Sequence, residues 1–275
     1  IDRVYNYGTF DFDTPNFYLK FARGKLLYSL QATGFERFMY TYHVEGRWVK
    51  RQVLNLTTDE KQAIYDFLEI NALPENRNYK YDFFYDNCST RPRDVLEIIL
   101  GDSLVYHPEN ADTTRSFRDL IDLYLMHHPW SDLGIDFALG APTDKIANFR
   151  EQMFLPDFLM NNLELAEIRR NGELQPFVMN TTEILSEKRI PEKSGSINWI
   201  FWVLFGFCVL TSIFIHPKFL RWFDIVFFMS AGVLGIVIAL LWFATDHSAT
   251  QWNFNLLWAL PTWIWGSILL MQKKP

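Results

Sequence analysis

The chain has 275 residues, of which 49% are hydrophobic, 17% aromatic and 21% charged, and its formal net charge is −6. That composition excludes a disordered or collagen-like chain, and nothing in it is basic enough to favour nucleic acid as a partner. The charge is unevenly placed: residues 1–196 carry 22 basic against 30 acidic side chains, a net −8, and residues 197–275 carry four basic against two acidic, a net +2.

In chain order, Val4–Phe12 is β-branched and aromatic and predicts one or two short strands. Pro15–Phe21 reads as a short helix or loop, Gly24 opens a strand over Lys25–Thr33, and Phe35–Thr41 reads as a short helix. Trp48–Leu56 alternates as a half-buried strand does. Thr57 three residues ahead of Glu60 is a capping-box pattern, so a helix starts there and runs to about Asn71. Asn71–Asn78 is a loop with Pro74, and Tyr79–Tyr85 is an aromatic strand. Asp86-Asn87 caps a helix over Cys88–Leu100 that Gly101 ends. Helical segments follow around Ser116–His127 and Asp144–Met160, Leu174–Met179 returns as a strand, and Glu183–Ser196 is a charged linker.

The tail holds three apolar runs, read as membrane helices over 197–215, 225–244 and 252–271. A crossing needs about 18 or more apolar residues. The first two runs reach that length, and the third does so only if it starts near Trp252. Lys218 and Arg221 in the first connecting loop, and Lys273 and Lys274 after the third run, mark the cytoplasmic side. This places residues 1–196 outside the cytoplasm, with 1–182 as one domain joined by the linker 183–196 to the transmembrane domain 197–275. The chain starts at Ile1 without an export signal, so it reads as a fragment cut at both ends.

The two cysteines, Cys88 and Cys208, lie in different regions and form no pair. Cys208 falls within the first apolar run as a small apolar residue. Cys88 falls at a predicted helix N-terminus, where free N–H groups and the helix dipole stabilise a thiolate and offer donors to an oxyanion. Arg91 and Arg93 add positive charge within a turn, although Pro92 sits awkwardly deep. A buried structural thiol is the equal alternative. A cysteine nucleophile needs a base, and none of the six histidines sits convincingly beside Cys88. No metal, phosphate-loop or dinucleotide motif occurs, so no cofactor is expected.

Residues 81–95, YDFFYDNCSTRPRDV, resemble the signature of an exported domain of Bacteroidetes membrane proteins, that of the Lnb lipoprotein N-acyltransferase family. Residues 4–28, 52–61, 73–84 and 150–159 are similar to it too, and TDHSATQWNFNLLWALP (245–261) resembles the family's membrane part. The resemblance implies an α+β chain: a papain-like thiol domain in permuted order, His before Cys, followed by a helical transmembrane domain. It makes Cys88 the acyl-accepting nucleophile and puts the histidine in a strand ahead of Val4, so the fragment alone is expected to be inactive. Asn6 becomes the candidate for orienting that histidine. Asn87 and Arg91 beside the thiol, and Asp246, His247, Asn253 and Asn255 at the membrane surface, become substrate-binding candidates.

The implied reaction moves a fatty acyl group from a membrane phospholipid, through a Cys88 thioester, to the N-terminal amine of a diacylglyceryl lipoprotein. The setting would be a bacterial inner membrane, crossed several times, with the thiol domain periplasmic. A membrane-tethered cysteine peptidase or amidase of the envelope, or a non-catalytic scaffold, are the rival readings.

Overall fold

Caps, turns and alternating apolar positions lay out the elements of the computed structural model of this protein, which describes residues 2–110, 112–186, 198–214 and 217–272. In chain order they are β1 (Arg3–Thr9), α1 (Phe17–Ala22), β2 (Leu27–Gly34), α2 (Phe35–Glu45), β3 (Val49–Leu54), α3 (Thr58–Asn71), β4 (Asn78–Lys80) and α4 (Thr90–Leu100). Then come β5 (Leu104–Val105), α5 (Phe117–Leu125), α6 (Pro129–Ala138), α7 (Phe149–Gln152), α8 (Pro156–Leu165), β6 (Glu167–Arg170), β7 (Glu173–Pro176) and β8 (Val178–Leu185). The tail supplies α9 (Asn198–Phe214), α10 (Pro217–Phe243) and α11 (Trp263–Gln272). The chain is mixed helix and sheet with a helical C-terminal region.

Two compact units divide the chain, one of Ile1–Phe117 with Ile146–Ile190 and the other of Arg118–Lys145 with Pro191–Pro275. Residues 118–145, which the sequence reading places inside the outer domain, therefore cluster with the tail. The predicted linker lies largely outside the described residues, as do His216, Lys273 and Lys274.

In the first unit three antiparallel sheets form, ordered β1-β2-β4, β3-β8 and β5-β6-β7. The capping box foreseen at α3 is complete: Thr57 accepts from the Glu60 N–H while Glu60 accepts from the Thr57 N–H. Arg170 on β6 then clamps Glu60 at 2.6 Å. One face of the first sheet buries Tyr7, Leu30 and Tyr79 against Leu68 of α3 and Ala72 just after it. A second core joins α4, α8, β6 and β8 through Leu96, Leu100, Leu163, Ile168 and Val178, with Phe177 just ahead of β8. Phe84, Phe117 and Phe154 meet ring to ring at 4.5–5.5 Å, and truncating such a buried ring costs about 3–5 kcal/mol.

Three elements depart from the sequence reading. The strand expected over 79–85 stops at Lys80, because the Asp82 carboxylate takes the N–H groups of Phe84 and Tyr85 and folds 82–86 into a turn. The helix expected over 144–160 is broken into α7 and α8, with Pro156 starting the second piece. The third apolar run is helical only from Trp263, since residues 248–257 form two 3-10 turns and Pro261 follows them.

Within the second unit, α10 is the one described helix long and apolar enough to cross a membrane, over Arg221–Phe243. Its glycines admit α11 and the preceding loop closely: a Cβ at Gly235 would stand 1.9 Å from the Ala259 carbonyl oxygen. Arg221 donates to the Leu270 carbonyl at the end of α11. Residues 137–141 are fastened to the loop after α10. The Gly140 N–H donates to Ala249 O at 2.8 Å and the Ala141 N–H to Trp252 O at 3.1 Å, and Asn253 Nδ2 donates to Phe137 O. Arg118 of α5 ties itself to Asp136 and Asp144 at 2.6 and 2.7 Å.

Desolvation, aided by the neighbouring Asp132 and Asp136, raises the Asp122 carboxyl from 3.8 to about 6. A carboxyl with a raised folded-state pKa binds more protons folded than unfolded, so its contribution favours folding as pH falls below about 6 and opposes it at neutral pH. Asp122→Asn is therefore expected to raise the melting temperature of the detergent-solubilised chain at neutral pH. That gain should vanish near pH 4, and scanning calorimetry at the two pH values checks it.

Candidate active site

Cys88 owes its position to Asn87. The Asn87 side chain is buried and accepts from the Ser89 and Thr90 N–H groups at 2.7 and 2.9 Å. Its amide donates to Phe83 O and Phe154 O at 2.7 and 2.9 Å. Its own N–H goes to Thr90 Oγ1, and its carbonyl takes the Arg91 N–H. This is the reciprocal pattern of a capping box, so the chain turns helically from Asn87 onward although regular helix begins at Thr90. Cys88 is then the first residue of that turn, and its N–H is the one left when the next three are engaged. Pro92, without an N–H, leaves the Cys88 carbonyl without its helical donor.

The thiol meets Gly8 of β1. A Cβ added there would stand 3.1 Å from Cys88 Cβ and 3.9 Å from Sγ, and Gly8 has φ +90°. Cys88 as a residue is exposed, so a reagent can reach it. Its sulfur nonetheless lies against packed groups, and that desolvation holds the thiol above its ordinary value, partly offset by its own N–H and the Ser89 hydroxyl. The helix N-terminus thus does not make a ready thiolate here. The surrounding face is aromatic. Tyr28, Tyr79 and Tyr81 are all pushed up, first by burial and further by the Cys88 charge. Tyr79 is 6% exposed, and its hydroxyl has no hydrogen-bond partner of normal geometry among the described residues, although the Gly8 N–H eases its ionisation.

The cations foreseen beside the thiol are neutralised. Arg91 forms two hydrogen bonds to Asp86 at 2.6 and 2.8 Å and lies 3.6 Å over the Tyr79 ring. Arg93 is buried, held by Asp94 and the Arg150 carbonyl. Arg91 thus braces the tyrosine face, and Asn87, whose donors and acceptors are engaged, organises the turn. Asn6 pairs with Gln31 across β2, and strand alternation sets it on the opposite sheet face from Tyr7. His43 is exposed on α2, and His107 bridges Glu109 and Glu167. Among the described residues, no hydrogen bond joins a histidine to Cys88, and no His, Cys, Asp and Glu cluster could hold a metal.

Asp246, His247, Asn253 and Asn255 share the loop after α10 in the second unit. Asn253 is buried as a clamp, accepting the Asn255 N–H, while Asn255 accepts from the Trp258 indole at 3.1 Å. Sequence reasoning missed Gly8 and Tyr79. A glycine inside the strand Tyr7-Gly8-Thr9 was the available signal for a close approach.

Residues 1–119 match the Lnb N-terminal periplasmic domain, and residues 196–275 match the Lnb transmembrane domain. The chain belongs to the Lnb family, and is a membrane protein with a periplasmic N-terminal domain. No curated protein and no solved structure matches it significantly.

Gly8→Ala should move Cys88 and lower the melting temperature, with a cost of about 1–3 kcal/mol for the strained φ and the contact. Iodoacetamide labelling of the Cys88 peptide reads the first effect, and calorimetry reads the second. In the unmodified chain the labelling rate should rise with pH to a midpoint above that of an ordinary cysteine, because iodoacetamide reacts with the thiolate.

Proposed function

We propose that this chain is the core of a membrane-bound N-acyltransferase with Cys88 as nucleophile. Its acyl donor is a membrane phospholipid and its acceptor is the N-terminal amine of a diacylglyceryl lipoprotein. Family membership supports an enzyme of lipoprotein processing. The observation that carries the chemistry is a reachable thiol at the start of a helical turn, facing a desolvated aromatic wall. In this reading the first unit is a permuted papain-like domain, with the β1-β2-β4 sheet against the cysteine turn.

In the first step Sγ forms a bond to the donor's ester carbonyl carbon, and the carbonyl pair moves onto oxygen. The thiol proton passes to an imidazole base, which the family resemblance puts ahead of Val4. Collapse expels the lysophospholipid alkoxide, which takes that proton, and leaves the Cys88 thioester. In the second step the lipoprotein amine attacks the thioester, the imidazole takes the amine proton, and the thiol returns. The raised thiol pKa fits this sequence, since a thiol that ionises only with its base present stays quiet without substrate.

Two donors suit the oxyanion. One is the Cys88 N–H, left over by the Asn87 cap; the other is the Tyr79 hydroxyl, whose proton has no acceptor among the described residues. An oxyanion donor contributes roughly 10²–10³ in rate. Holding both lipids in one leaflet supplies proximity. Asp246, His247, Asn253 and Asn255 are assigned here to the lipid-facing loop of the second unit, and Asn6 to the sheet behind the thiol.

In cells that depend on the full-length protein, Cys88→Ala is expected to leave lipoproteins diacylated with free α-amines, read by mass spectrometry of their N-termini. Unchanged N-acylation at normal protein level would overturn the reading and favour the peptidase or the scaffold. Tyr79→Phe should lower kcat roughly 10²-fold with KM for the donor unchanged. Its melting temperature should hold or rise, because an unpaired buried hydroxyl is removed. A melting temperature that falls, with kcat intact, would make Tyr79 a packing residue.

A further inference from the structure

The first unit carries a cavity and an exposed rim that the acyl-transfer chemistry above does not use. The cavity, about 340 Å³, is walled by Lys20 of α1, Lys25 beyond the Gly24 turn, and Arg77 ahead of β4, with Ser29, Asn78 and Asp11 completing the polar wall. Three cations converge there in a chain of net charge −6. No carboxylate pairs with any of the three side chains among the described residues, whereas Arg3, Arg91, Arg93, Arg118, Arg150 and Arg170 are all ion-paired. Asp11 is engaged with the Asp13 N–H.

The rim is apolar. Tyr18 is 81% and Phe12 69% exposed, and Leu19, Phe21 and Leu27 are exposed beside them, with Lys20 in their midst. Phe17 anchors this group, ringed by Phe10, Phe12 and Phe21 at 4.9–6.3 Å. The ring contacts continue inward: Phe10 meets Tyr28 at 5.4 Å, and Tyr28 stacks on Tyr81 at 4.2 Å. Both tyrosines sense the charge of Cys88. An aromatic path thus runs from the exposed rim toward the thiol.

We propose that the cavity holds the phosphate of a glycerophospholipid while the Phe12–Leu27 rim sits among the lipid acyl chains and leads one of them to Cys88. Unpaired lysine and arginine with hydroxyl and amide neighbours suit a phosphodiester. A water-soluble phosphate compound would leave the large exposed rim unexplained. Aromatic and basic side chains interleaved on one short segment are the signature of a lipid interface. Asp11 on the same wall suits an amine-bearing headgroup. The inference deepens the acyl-transfer reading and rests on it for the destination of the acyl chain, but the binding step is measurable by itself.

The test uses the full-length protein in nanodiscs containing phosphatidylethanolamine with a diazirine midway along one acyl chain. After photolysis, mass spectrometry should find the label on the peptides covering residues 10–28. Combining Lys20→Gln, Lys25→Gln and Arg77→Gln should lower that labelling at least roughly tenfold, and the matching diazirine diacylglycerol, without phosphate, should label the wild type as weakly. Should the triple variant melt early, wild-type labelling at about 50 and about 500 mM salt replaces it, and the label should fall with screening. Equal labelling by diacylglycerol, an unaffected triple variant that melts normally, or salt-independent labelling would each overturn the proposal. Cys88→Ala should label like the wild type, so lost N-acylation there tests the chemistry, and lost labelling in the triple variant tests the lipid site.

Discussion

The geometry of the candidate site depends on one side chain, the buried amide of Asn87. It holds two N–H groups ahead of it, two carbonyls beside it, and closes the loop from Phe83 to Phe154. A buried amide left without those partners would cost about 1–3 kcal/mol per unmade bond. The same bonds decide which donor remains at the start of the turn. By engaging the N–H groups of Ser89, Thr90 and Arg91, Asn87 leaves the Cys88 N–H as the backbone donor at the thiol. Stability and the disposition of the site thus come from the same hydrogen bonds.

Electrostatics near the thiol work against the simple expectation of an activated cysteine. Arginine and a helix N-terminus both favour a thiolate, yet Arg91 is bound to Asp86 and stacked on Tyr79, so its field is largely cancelled by a carboxylate at 2.6 Å. Desolvation then wins and raises the thiol. A thiol of that kind would act as a nucleophile only with a base brought to it. The aromatic wall fits this: it is a poor solvent for charge and a good one for an acyl chain.

Much of the first unit was legible because its signals are local. Thr57 and Glu60 announce their capping box in sequence, and the run from Lys25 to Thr33 contains most of β2. The reading failed where a side chain competes with the backbone. Asp82 converts an aromatic run into a turn, and no propensity marks that in advance. Residues 118–145 cluster with the second unit through contacts that carry no local signal, such as Gly140 with Ala249, more than a hundred residues away. At the site, Cys88 was visible as an unpaired thiol near a cap, whereas Gly8 and Tyr79 were not. Their importance comes from the approach of β1 and β4 to the cysteine turn, which is a tertiary fact.

The exposure of apolar surface in the first unit follows from the same logic. Phe17 is buried while its neighbours Phe12, Tyr18 and Phe21 stand in the open. A stable rim of this kind needs an anchor, and Phe17 provides it by holding the rings around it at contact distance. Exposed aromatic surface of that extent is unfavourable in water, and a soluble domain would be expected to cover it. The chain has both a periplasmic domain and a transmembrane domain. In the lipid-site proposal, the free energy lost by leaving those rings uncovered in water is what a lipid surface would return. Lys20, Lys25 and Arg77, without carboxylate partners among the described residues, would meet the membrane's own phosphates in that proposal.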